Sequence, residues 1–272
     1  MSSKINTLVE DIYGVFDKKV QADPESLKAF GEELSRVVAD QINETKAPHL
    51  RLSNLGTPCK RKLWYSINTP ELAEALPGMA RIKFLIGHVT EAVVLFLAKL
   101  AGHSVTREQE TVDLHGVKGH LDAFIDDELV DVKSASPYSF TKFKDGLKPE
   151  QDAFGYLTQL GSYGAATDRS RGHFLAVDKV LGKLTLDTHE LPEIDHEAKV
   201  NAAREILGQS TPPERGYEDE ADGASGNRKL GVACSYCDFK AHCWPGVQTF
   251  AYSNGPRFLT KVVRAPKVDR VE

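Results

Sequence analysis

The spacing of apolar residues predicts helices at the N-terminus of the chain. Apolar positions recur every three or four residues over residues 4–20 and again over residues 26–43, which is the period of an amphipathic helix. Asp23-Pro24 separates the two segments. The pattern therefore predicts an N-terminal helical hairpin, followed by a third and more apolar helix over residues 79–101.

The pattern changes to short β-branched segments in the middle of the chain. Three of them are bounded by turn-forming residues and predict a meander: 104–114, 117–126 and 128–134. Beyond the meander, helices are predicted over residues 150–166 and 193–208, and a pair of strands over residues 173–178 and 183–190. This order of elements predicts an α/β fold with a central mixed β-sheet flanked by helices.

The composition suggests three parts of the chain. Residues 1–50 hold the helical hairpin, residues 51–245 hold the α/β core and end in a cysteine-rich module, and residues 246–272 form a basic C-terminal tail. The hairpin and the cysteine module are expected to form an accessory lobe.

The overall composition is typical of a globular protein that acts inside the cell. The chain has 272 residues, of which 41% are hydrophobic and 27% charged. No stretch reaches the roughly 20 apolar residues of a membrane span, and the N-terminus lacks a signal-peptide apolar region. We expect a cytoplasmic protein with no membrane partner. The net charge of −5 argues against a general coat for nucleic acid, although a local basic groove could still serve a DNA enzyme.

Four cysteines form a candidate metal site. Cys234, Cys237 and Cys243 form a C-x₂-C-x₅-C cluster, and Cys59 lies 175 positions upstream (234 − 59). In a reducing compartment such thiols more often bind metal than form disulfides. Zinc and a [4Fe–4S] cluster both accept four thiolates, although structural zinc usually recruits two close C-x₂-C pairs and this chain has one.

A second candidate site lies between the cysteines. Asp131 and Lys133 are two positions apart on one predicted strand, so both point to the same face. Asp122 lies nine positions before Asp131 (131 − 122) on the neighbouring strand and can face it. Two carboxylates can hold Mg²⁺ or Mn²⁺, which can activate a water and stabilise charge on a phosphate. Lys133 can orient that water or offset the charge, although a lone D-x-K is more often a pair of solvated strand residues.

Four further residues accompany this pair on predicted helices. His88 and Glu91 lie on the helix before the meander, and an imidazole beside two carboxylates suits Mn²⁺ as well as Mg²⁺. Glu91 is a candidate for binding or supporting a second ion, and is equally typical of a salt bridge. Gln159 and Tyr163 lie four positions apart (163 − 159) on the following helix, which places them on one face.

This ordered set resembles the PD-(D/E)xK nuclease superfamily, and within it the RecB-like branch, over roughly residues 55–245. The matching positions are the helix histidine His88, the GxxD acid Asp122, the (D/E)xK element Asp131-Val132-Lys133, and the QxxxY pair Gln159 and Tyr163. The resemblance implies a restriction-endonuclease-like core, a metal held by the histidine, both acids and the carbonyl of Val132, and cleavage of DNA strands from an end. Asp131 stands where many members have glutamate.

The cysteines narrow the resemblance. One cysteine before the core and a C-x₂-C-x₅-C after it are similar to the iron–sulfur nucleases of the CRISPR-associated RecB-like and AddB groups. This similarity, together with the asymmetric spacing, favours a [4Fe–4S] cluster on Cys59, Cys234, Cys237 and Cys243 over zinc. Its role would be architectural, with no redox reaction implied.

A basic and aromatic segment follows Cys59. Positive charge combines with stacking surfaces in this segment, a mixture that suits single-stranded DNA. Its members are Lys60, Arg61, Lys62, Trp64 and Tyr65. The alternative is a basic helix start whose two aromatic rings pack in the core around the cluster.

The sequence therefore predicts a metal-dependent DNA exonuclease that prefers single-stranded DNA or DNA ends. It carries no G-x-x-x-x-G-K-[ST] motif, so no P-loop motor is encoded. A structure-specific endonuclease uses the same chemistry, and a non-catalytic DNA-end-binding adaptor could retain the fold. By analogy alone, such a small nuclease would suit a phage, acting in the host cytoplasm with recombination, repair or replication proteins.

Overall fold

The computed structural model describes residues 5–18, 20–43, 48–75 and 78–271. Positions 4 and 19 of the helix predicted over residues 4–20 lie outside these ranges. The chain divides into two units, each built from two separate stretches of sequence. Unit 1 comprises Met1–Gly56 and Pro77–Val200, and unit 2 comprises Thr57–Leu76 and Asn201–Glu272.

The helices of the described residues include those predicted from apolar spacing. In chain order they are α1 (Leu8–Asp17), α2 (Pro24–Asn43), α3 (Leu52–Leu55), α4 (Lys60–Asn68), α5 (Gly78–Leu100), α6 (Pro137–Lys144), α7 (Tyr156–Ala166), α8 (His196–Leu207), α9 (Val232–Ser235) and α10 (Lys240–Cys243). Short 3₁₀ turns lie at Ile5–Thr7, Pro70–Leu72, Pro149–Gln151 and Gly223–Ser225. The apolar spacing predicted α1, α2, α5, α7 and α8, but not α3, α6, α9 or α10, because short helices contain too few turns to show a period.

The strands fall into three sheets. In chain order they are β1 (Val105–Thr106), β2 (Thr111–Leu114), β3 (Val117–His120), β4 (Ala123–Ile125), β5 (Glu128–Ala135), β6 (Arg171–Asp178), β7 (Leu184–Glu190), β8 (Glu220–Ala221), β9 (Arg228–Lys229), β10 (Gln248–Tyr252), β11 (Gly255–Lys261) and β12 (Arg270–Val271). Their orders are β1-β4-β5-β6-β7, β12-β10-β11-β9-β8 and β2-β3.

The five-stranded sheet of unit 1 is mixed, as the sequence predicted. β5 and β6 pair in parallel, while β1 with β4, β4 with β5, and β6 with β7 pair antiparallel. A parallel pair needs a long crossover, and here α6 and α7 lie between β5 and β6 in the chain. β6 is buried from Gly172 to Asp178, as expected of a central strand covered on both faces.

A tight turn fixes the register between β4 and β5. Asp126 and Asp127 both adopt left-handed backbone angles, with φ of 51° and 68°. Such a two-residue turn matches the right-handed twist of a hairpin, and aspartate tolerates this conformation. Ala123 consequently pairs with Val130, which sets the position of the residue before β4.

The predicted three-stranded meander has the expected pairing, but its first two strands are each interrupted. β1 and β2 of the first segment pair with β4 and β3 of the second, and β4 pairs with β5 of the third. Residues 104–114 are broken between β1 and β2, where Arg107 and Gln109 adopt φ of 55° and 52°. β2 pairs with β3 in a separate hairpin, and only β1, β4 and β5 join the main sheet. The sequence thus predicted the partners of the three segments, and the tertiary structure decided which part of each segment joins the main sheet.

The N-terminal helices pack on α5. α1 and α2 both contact α5, and the rings of Phe30 and Phe96 stack with centroids 4.2 Å apart. Leu8 and Ile12 of α1 are buried in the same core cluster as Val130 of β5. Because these residues lie against the sheet, α1 belongs to the α/β core of unit 1 and not to an accessory lobe.

The predicted basic tail of unit 2 contains strands β10, β11 and β12. Phe250 and Leu259 on β10 and β11 are buried. One basic residue of this region is ion-paired, with Arg257 Nη1 2.8 Å from Asp222 Oδ1. The segment is therefore a folded part of unit 2 rather than a solvated tail. No helix within the described ranges is both long and apolar enough to cross a membrane.

Candidate active site and cysteine cluster

Three residues predicted to form the site meet beside β4 and β5. Asp122 directly precedes β4, and the pairing of Ala123 with Val130 places it beside Asp131. Its Oδ2 accepts a hydrogen bond from the main-chain N–H of Val132 at 2.7 Å. Asp131 and Lys133 flank the buried Val132 along the strand, so both point away from the core that Val132 enters.

Lys133 is paired with one of these acids. Its Nζ lies 2.5 Å from Oδ2 of Asp131 and 4.7 Å from the ring centroid of Tyr156. Burial opposes the charged form, but the charges of Asp131 and Asp122 outweigh it and hold the pKa of Lys133 above its ordinary value. Lys133 is therefore a fixed positive charge and not a proton acceptor.

Glu91 on α5 completes a group of three carboxylates. Burial raises the pKa of Glu91 to about 7, and repulsion from Asp131 adds to the shift. Burial also raises the pKa of Asp122 well above its ordinary value, with repulsion from Asp131 and Glu91 as further causes. Because each carboxylate disfavours ionisation of its neighbours, the three form one electrostatic group.

His88 joins this group through Glu91. It lies on α5 three positions before Glu91, and its Nδ1 is 3.9 Å from Glu91 Oε2. Its side chain is 46% exposed. The structure therefore places His88 at the outer edge of the carboxylate group.

Helix α7 carries Gln159 and Tyr163, which were predicted from the sequence to share one face of a helix. Gln159 Nε2 donates a hydrogen bond to Asp131 Oδ1 at 3.0 Å. Tyr163 is buried, and a Cβ atom on Gly119 would lie 2.8 Å from its ring. The glycine before Asp122 thus makes room for Tyr163. Burial, followed by repulsion from Asp131 and Asp122, raises the pKa of the Tyr163 hydroxyl, which therefore stays protonated.

Two further neighbours of the site were not predicted from the sequence. Tyr156 lies under Lys133, and its position three residues before Gln159 is a helical-face signal that was available. Gln109 Nε2 donates a hydrogen bond to Glu91 Oε1 at 2.5 Å. Gln109 lies in the break between β1 and β2, so no periodic pattern could have identified it.

The donors of this site suit a hard divalent cation. Glu91, Asp122 and Asp131 offer oxygen ligands and repel one another. Asp131 Oδ2 is buried and, apart from its ion pair with Lys133, makes no well-aligned hydrogen bond within the described residues. As they stand, no three His, Cys, Asp or Glu side chains in those residues are arranged to hold a metal ion. The chemistry of these side chains fits a cation, and binding of the cation would require the carboxylates to move closer to one another.

The four cysteines of unit 2 line one pocket, together with Tyr217 and Trp244. Cys59 caps α4, where its Sγ accepts a hydrogen bond from Lys62 N at 3.4 Å. Burial raises the pKa of Cys234 to about 11, and the other three cysteines add to the shift. All four are free thiols. The fold thus gathers four thiols around one pocket, where a bound cation would favour the thiolate of Cys234.

The pocket around the cysteines also suits a bound anionic group. Within the described residues, Trp244 Nε1 is buried without a well-aligned acceptor. Its interaction with Cys234 partly offsets the effect of burial, which raises the pKa of that thiol. A thiolate at Cys234 would satisfy that donor. Arg61 and Lys62 line the same pocket and bring positive charge to it, while the charge of Lys240 in its wall is balanced by Glu74.

The basic and aromatic segment after Cys59 is largely buried. Trp64 and Tyr65 are 7% and 5% exposed, and they form a core cluster with Phe239. Arg61 donates from Nη1 to the carbonyl of Pro213 and from Nη2 to the hydroxyl of Tyr65, at 2.5 and 3.1 Å. The core alternative therefore holds for both rings, which offer no open face to a DNA base. Lys60 is exposed, and Lys62 lines the cysteine pocket.

The fold and the sites thus define a class of protein in which an α/β unit with a buried carboxylate–lysine group is joined in one chain to a four-cysteine unit. No protein-family model matches the chain, and no curated protein matches it. Among solved structures, it is similar to the protein SSO0001, at 15% identity over 77% of this chain and 93% of that one, with a TM-score of 0.45.

Two further similar structures are of LHK-Exo, an alkaline exonuclease from Laribacter hongkongensis. The first shows 16% identity over 59% of this chain and 88% of that one, with a TM-score of 0.38. The second, in complex with dAMP, shows 17% identity over 63% and 81%, with a TM-score of 0.34. Likeness at this level fixes neither activity nor substrate, so both have to be inferred from the site.

Proposed function

We propose that this protein is a metal-dependent DNA exonuclease that hydrolyses phosphodiester bonds. The observation that carries the proposal is the buried Lys133–Asp131 pair beside Asp122 and Glu91. Gathering like charges in a buried place is unfavourable, and such perturbed groups cluster at functional sites. A non-catalytic DNA-end-binding adaptor would have no need of two acids and a lysine in this arrangement.

Each residue has a distinct proposed role. Asp122, Asp131, His88 and the carbonyl of Val132 would hold Mg²⁺ or Mn²⁺, with Glu91 supporting them or a second ion. When bound, the cation would activate the attacking water and offset charge on the phosphate. Lys133 holds a fixed positive charge beside Asp131, which suits it to orient the water or to neutralise the scissile phosphate. Gln159 holds Asp131 in place through its hydrogen bond. Tyr163 is buried four positions further along the same helix.

Single-stranded DNA and DNA ends are the proposed substrates. The preference for an end follows the family resemblance, and an endonuclease remains the competing proposal because it would use the same residues. The two differ on a circular single strand, which offers no end.

The deciding experiment is cleavage of end-labelled linear and circular single-stranded DNA by anaerobically purified protein with Mg²⁺ or Mn²⁺. We expect cleavage of the linear strand only, and a loss of about three orders of magnitude in Asp131→Ala, equal to roughly 4 kcal/mol of transition-state stabilisation. Asp17→Ala is the matched control, since Asp17 is exposed on α1 and lies outside the site. Near-normal cleavage by Asp131→Ala would rule out this site, and cleavage of the circle would establish an endonuclease.

We also propose that unit 2 binds a [4Fe–4S] cluster through its four cysteines. The convergence of the thiols and the basic rim of their pocket support this assignment. The cluster would hold Cys59 to the distant C-x₂-C-x₅-C segment, and its role would be structural. A structural zinc is the alternative that metal analysis would reveal.

A further inference from the structure

A cavity adjoins the carboxylate group within unit 1. Its volume is about 200 Å³, below the roughly 300–1,000 Å³ of pockets for drug-sized ligands. Lys133 and Tyr156 belong to both the cavity wall and the candidate active site. A group bound in the cavity would therefore lie next to the ammonium that pairs with Asp131.

One wall of the cavity is aromatic. Phe143, Phe154 and Tyr156 line it, and the rings of Phe154 and Tyr156 lie 5.5 Å apart at 32°. Phe154 is 64% exposed, although burial of such a ring is normally favourable. An exposed aromatic face at a cavity mouth is suited to stacking against a nucleobase.

The lining of the cavity is also basic. Lys142 and Lys179 both line the cavity. Lys142 Nζ donates a hydrogen bond to the carbonyl of Gln151 at 3.1 Å and has further donors, and within the described part of the chain Lys179 makes no ion pair. Asp152, the acid in the wall, is occupied, since its carboxylate accepts hydrogen bonds from the main-chain N–H groups of Gly155, Tyr156 and Leu157, each at 2.9 Å. The cavity therefore presents an excess of positive charge.

We propose that this cavity binds one unpaired nucleotide of the substrate strand, with its base stacked on Phe154 and a phosphate held by Lys142 and Lys179. The proposal rests on the proposed nuclease function, and it names the substrate class of that site. A base held in duplex is stacked and paired, so only an unpaired nucleotide can offer both faces to an aromatic wall. The cavity thus provides a physical basis for a preference for single strands and frayed ends.

The test measures the affinity of the full-length protein for oligodeoxythymidylate in the presence of a chelator, so that no cleavage occurs. Phe154→Ala should weaken binding about tenfold, the loss expected for one stacked base. The same variant should bind an abasic deoxyribose-phosphate oligomer as the wild type does. The matched control is Phe16→Ala on α1, because Phe16 is 66% exposed and lies outside the cavity.

The phosphate contact has its own readout. Lys179→Ala should reduce the slope of log affinity against log salt by about 0.7, the value for one phosphate contact on a single strand. Lys183→Ala, an exposed lysine that does not line the cavity, should leave the slope unchanged. Unchanged thymidylate binding by Phe154→Ala, equal losses on the abasic oligomer, or equal slopes for the two lysine variants would overturn the proposal.

The failure of this inference is distinguishable from failure of the proposed function. If the wild type cleaves linear DNA but Phe154→Ala and Lys179→Ala bind and cleave as it does, the nuclease assignment stands and the cavity proposal falls. If the variants show the expected binding defects but the wild type cleaves no DNA with either metal, the cavity is supported and the nuclease assignment falls.

Discussion

The carboxylate of Asp122 lies beside two like charges, those of Asp131 and Glu91, and it accepts a single main-chain hydrogen bond from Val132. At the scale of the residue, the rest of the fold holds this carboxylate in surroundings that disfavour its ionised form. Its raised pKa means that ionisation at neutral pH destabilises the metal-free protein. Stability and function are therefore expected to conflict at this position.

Asp122→Asn should separate stability from activity. An amide oxygen can still accept the hydrogen bond from Val132, but the negative charge is gone. We expect the free energy of unfolding of the chelator-treated protein to rise by on the order of 1 kcal/mol, since each pKa unit corresponds to about 1.4 kcal/mol, while cleavage is lost. Denaturant titration at neutral pH measures the first effect and a cleavage assay the second.

The control for this change is Asp127→Asn, which alters an exposed aspartate whose left-handed backbone suits asparagine. It should change neither stability nor cleavage appreciably. A marked loss of stability in Asp122→Asn would contradict the electrostatic account of the carboxylate group.

Gln159→Ala should weaken catalysis without changing metal affinity. Gln159 donates to Asp131 Oδ1, so its loss frees the carboxylate to rotate. We expect a fall in kcat of about tenfold, in the range of a lost positioning hydrogen bond, with an unchanged Mg²⁺ or Mn²⁺ concentration for half-maximal activity. A large shift in the metal titration would instead make Gln159 part of the metal site.

At the scale of the element, α7 depends on a close approach at its first turn. Gly155 precedes the helix with φ of 80°, and a Cβ at this position would lie 2.3 Å from the carbonyl oxygen of Gly56. Only glycine fits both the backbone conformation and the space. The start of the helix that carries Gln159 and Tyr163 is thus fixed by a residue with no role in the chemistry.

Two glycine substitutions on α7 should have opposite effects on stability. Gly155→Ala should reduce the free energy of unfolding by roughly 2–4 kcal/mol, through left-handed strain and a backbone clash, and should reduce cleavage by displacing Gln159. Gly161→Ala, in mid-helix with nothing within 4 Å of the added Cβ, should stabilise by about 0.5–1 kcal/mol. Thermal or denaturant unfolding of both variants tests the pair, and equal effects would show that the approach to Gly56 is not tight.

At the scale of the whole molecule, the cysteine unit joins parts of the chain that are far apart in sequence. Cys59 lies 175 positions before Cys234 (234 − 59), and both line one pocket. A metal bound there would act as a long-range cross-link, which limits the freedom of the unfolded chain.

Cys59→Ser should remove the proposed cluster while keeping the helix cap. Serine can accept the hydrogen bond from Lys62 N as the Cys59 sulfur does, but it does not bind iron as a thiolate. The anaerobic wild type should be brown, with absorption near about 400 nm and about four irons per chain. The variant should lose the colour and gain sensitivity to protease.

Metal analysis decides between the outcomes of this experiment. Cys59→Ala, which also loses the cap, should be less stable than Cys59→Ser by about 1 kcal/mol. A colourless wild type with one zinc would refute the iron–sulfur proposal but keep the cross-link. Full metal content in Cys59→Ser would remove Cys59 from the ligand set.

The sequence by itself determined features that depend on local geometry. The two-residue period of a strand placed Asp131 and Lys133 on one face, and the helical period placed Gln159 on the face that meets Asp131. The order of the predicted helices and strands along the chain also predicted an α/β fold with a mixed sheet. Such features follow from the chain's own dihedral angles, which neighbouring residues in the sequence control.

Tertiary structure alone decided which elements meet. Glu91 enters the carboxylate group because α5 packs on the sheet of unit 1, and Gln109 reaches it from an irregular break. From the sequence, Trp64 and Tyr65 could either contact DNA or pack in the core. The structure buries both beside Phe239. Helix packing, burial and mutual repulsion arise between residues that are distant in the chain, so no local pattern encodes them.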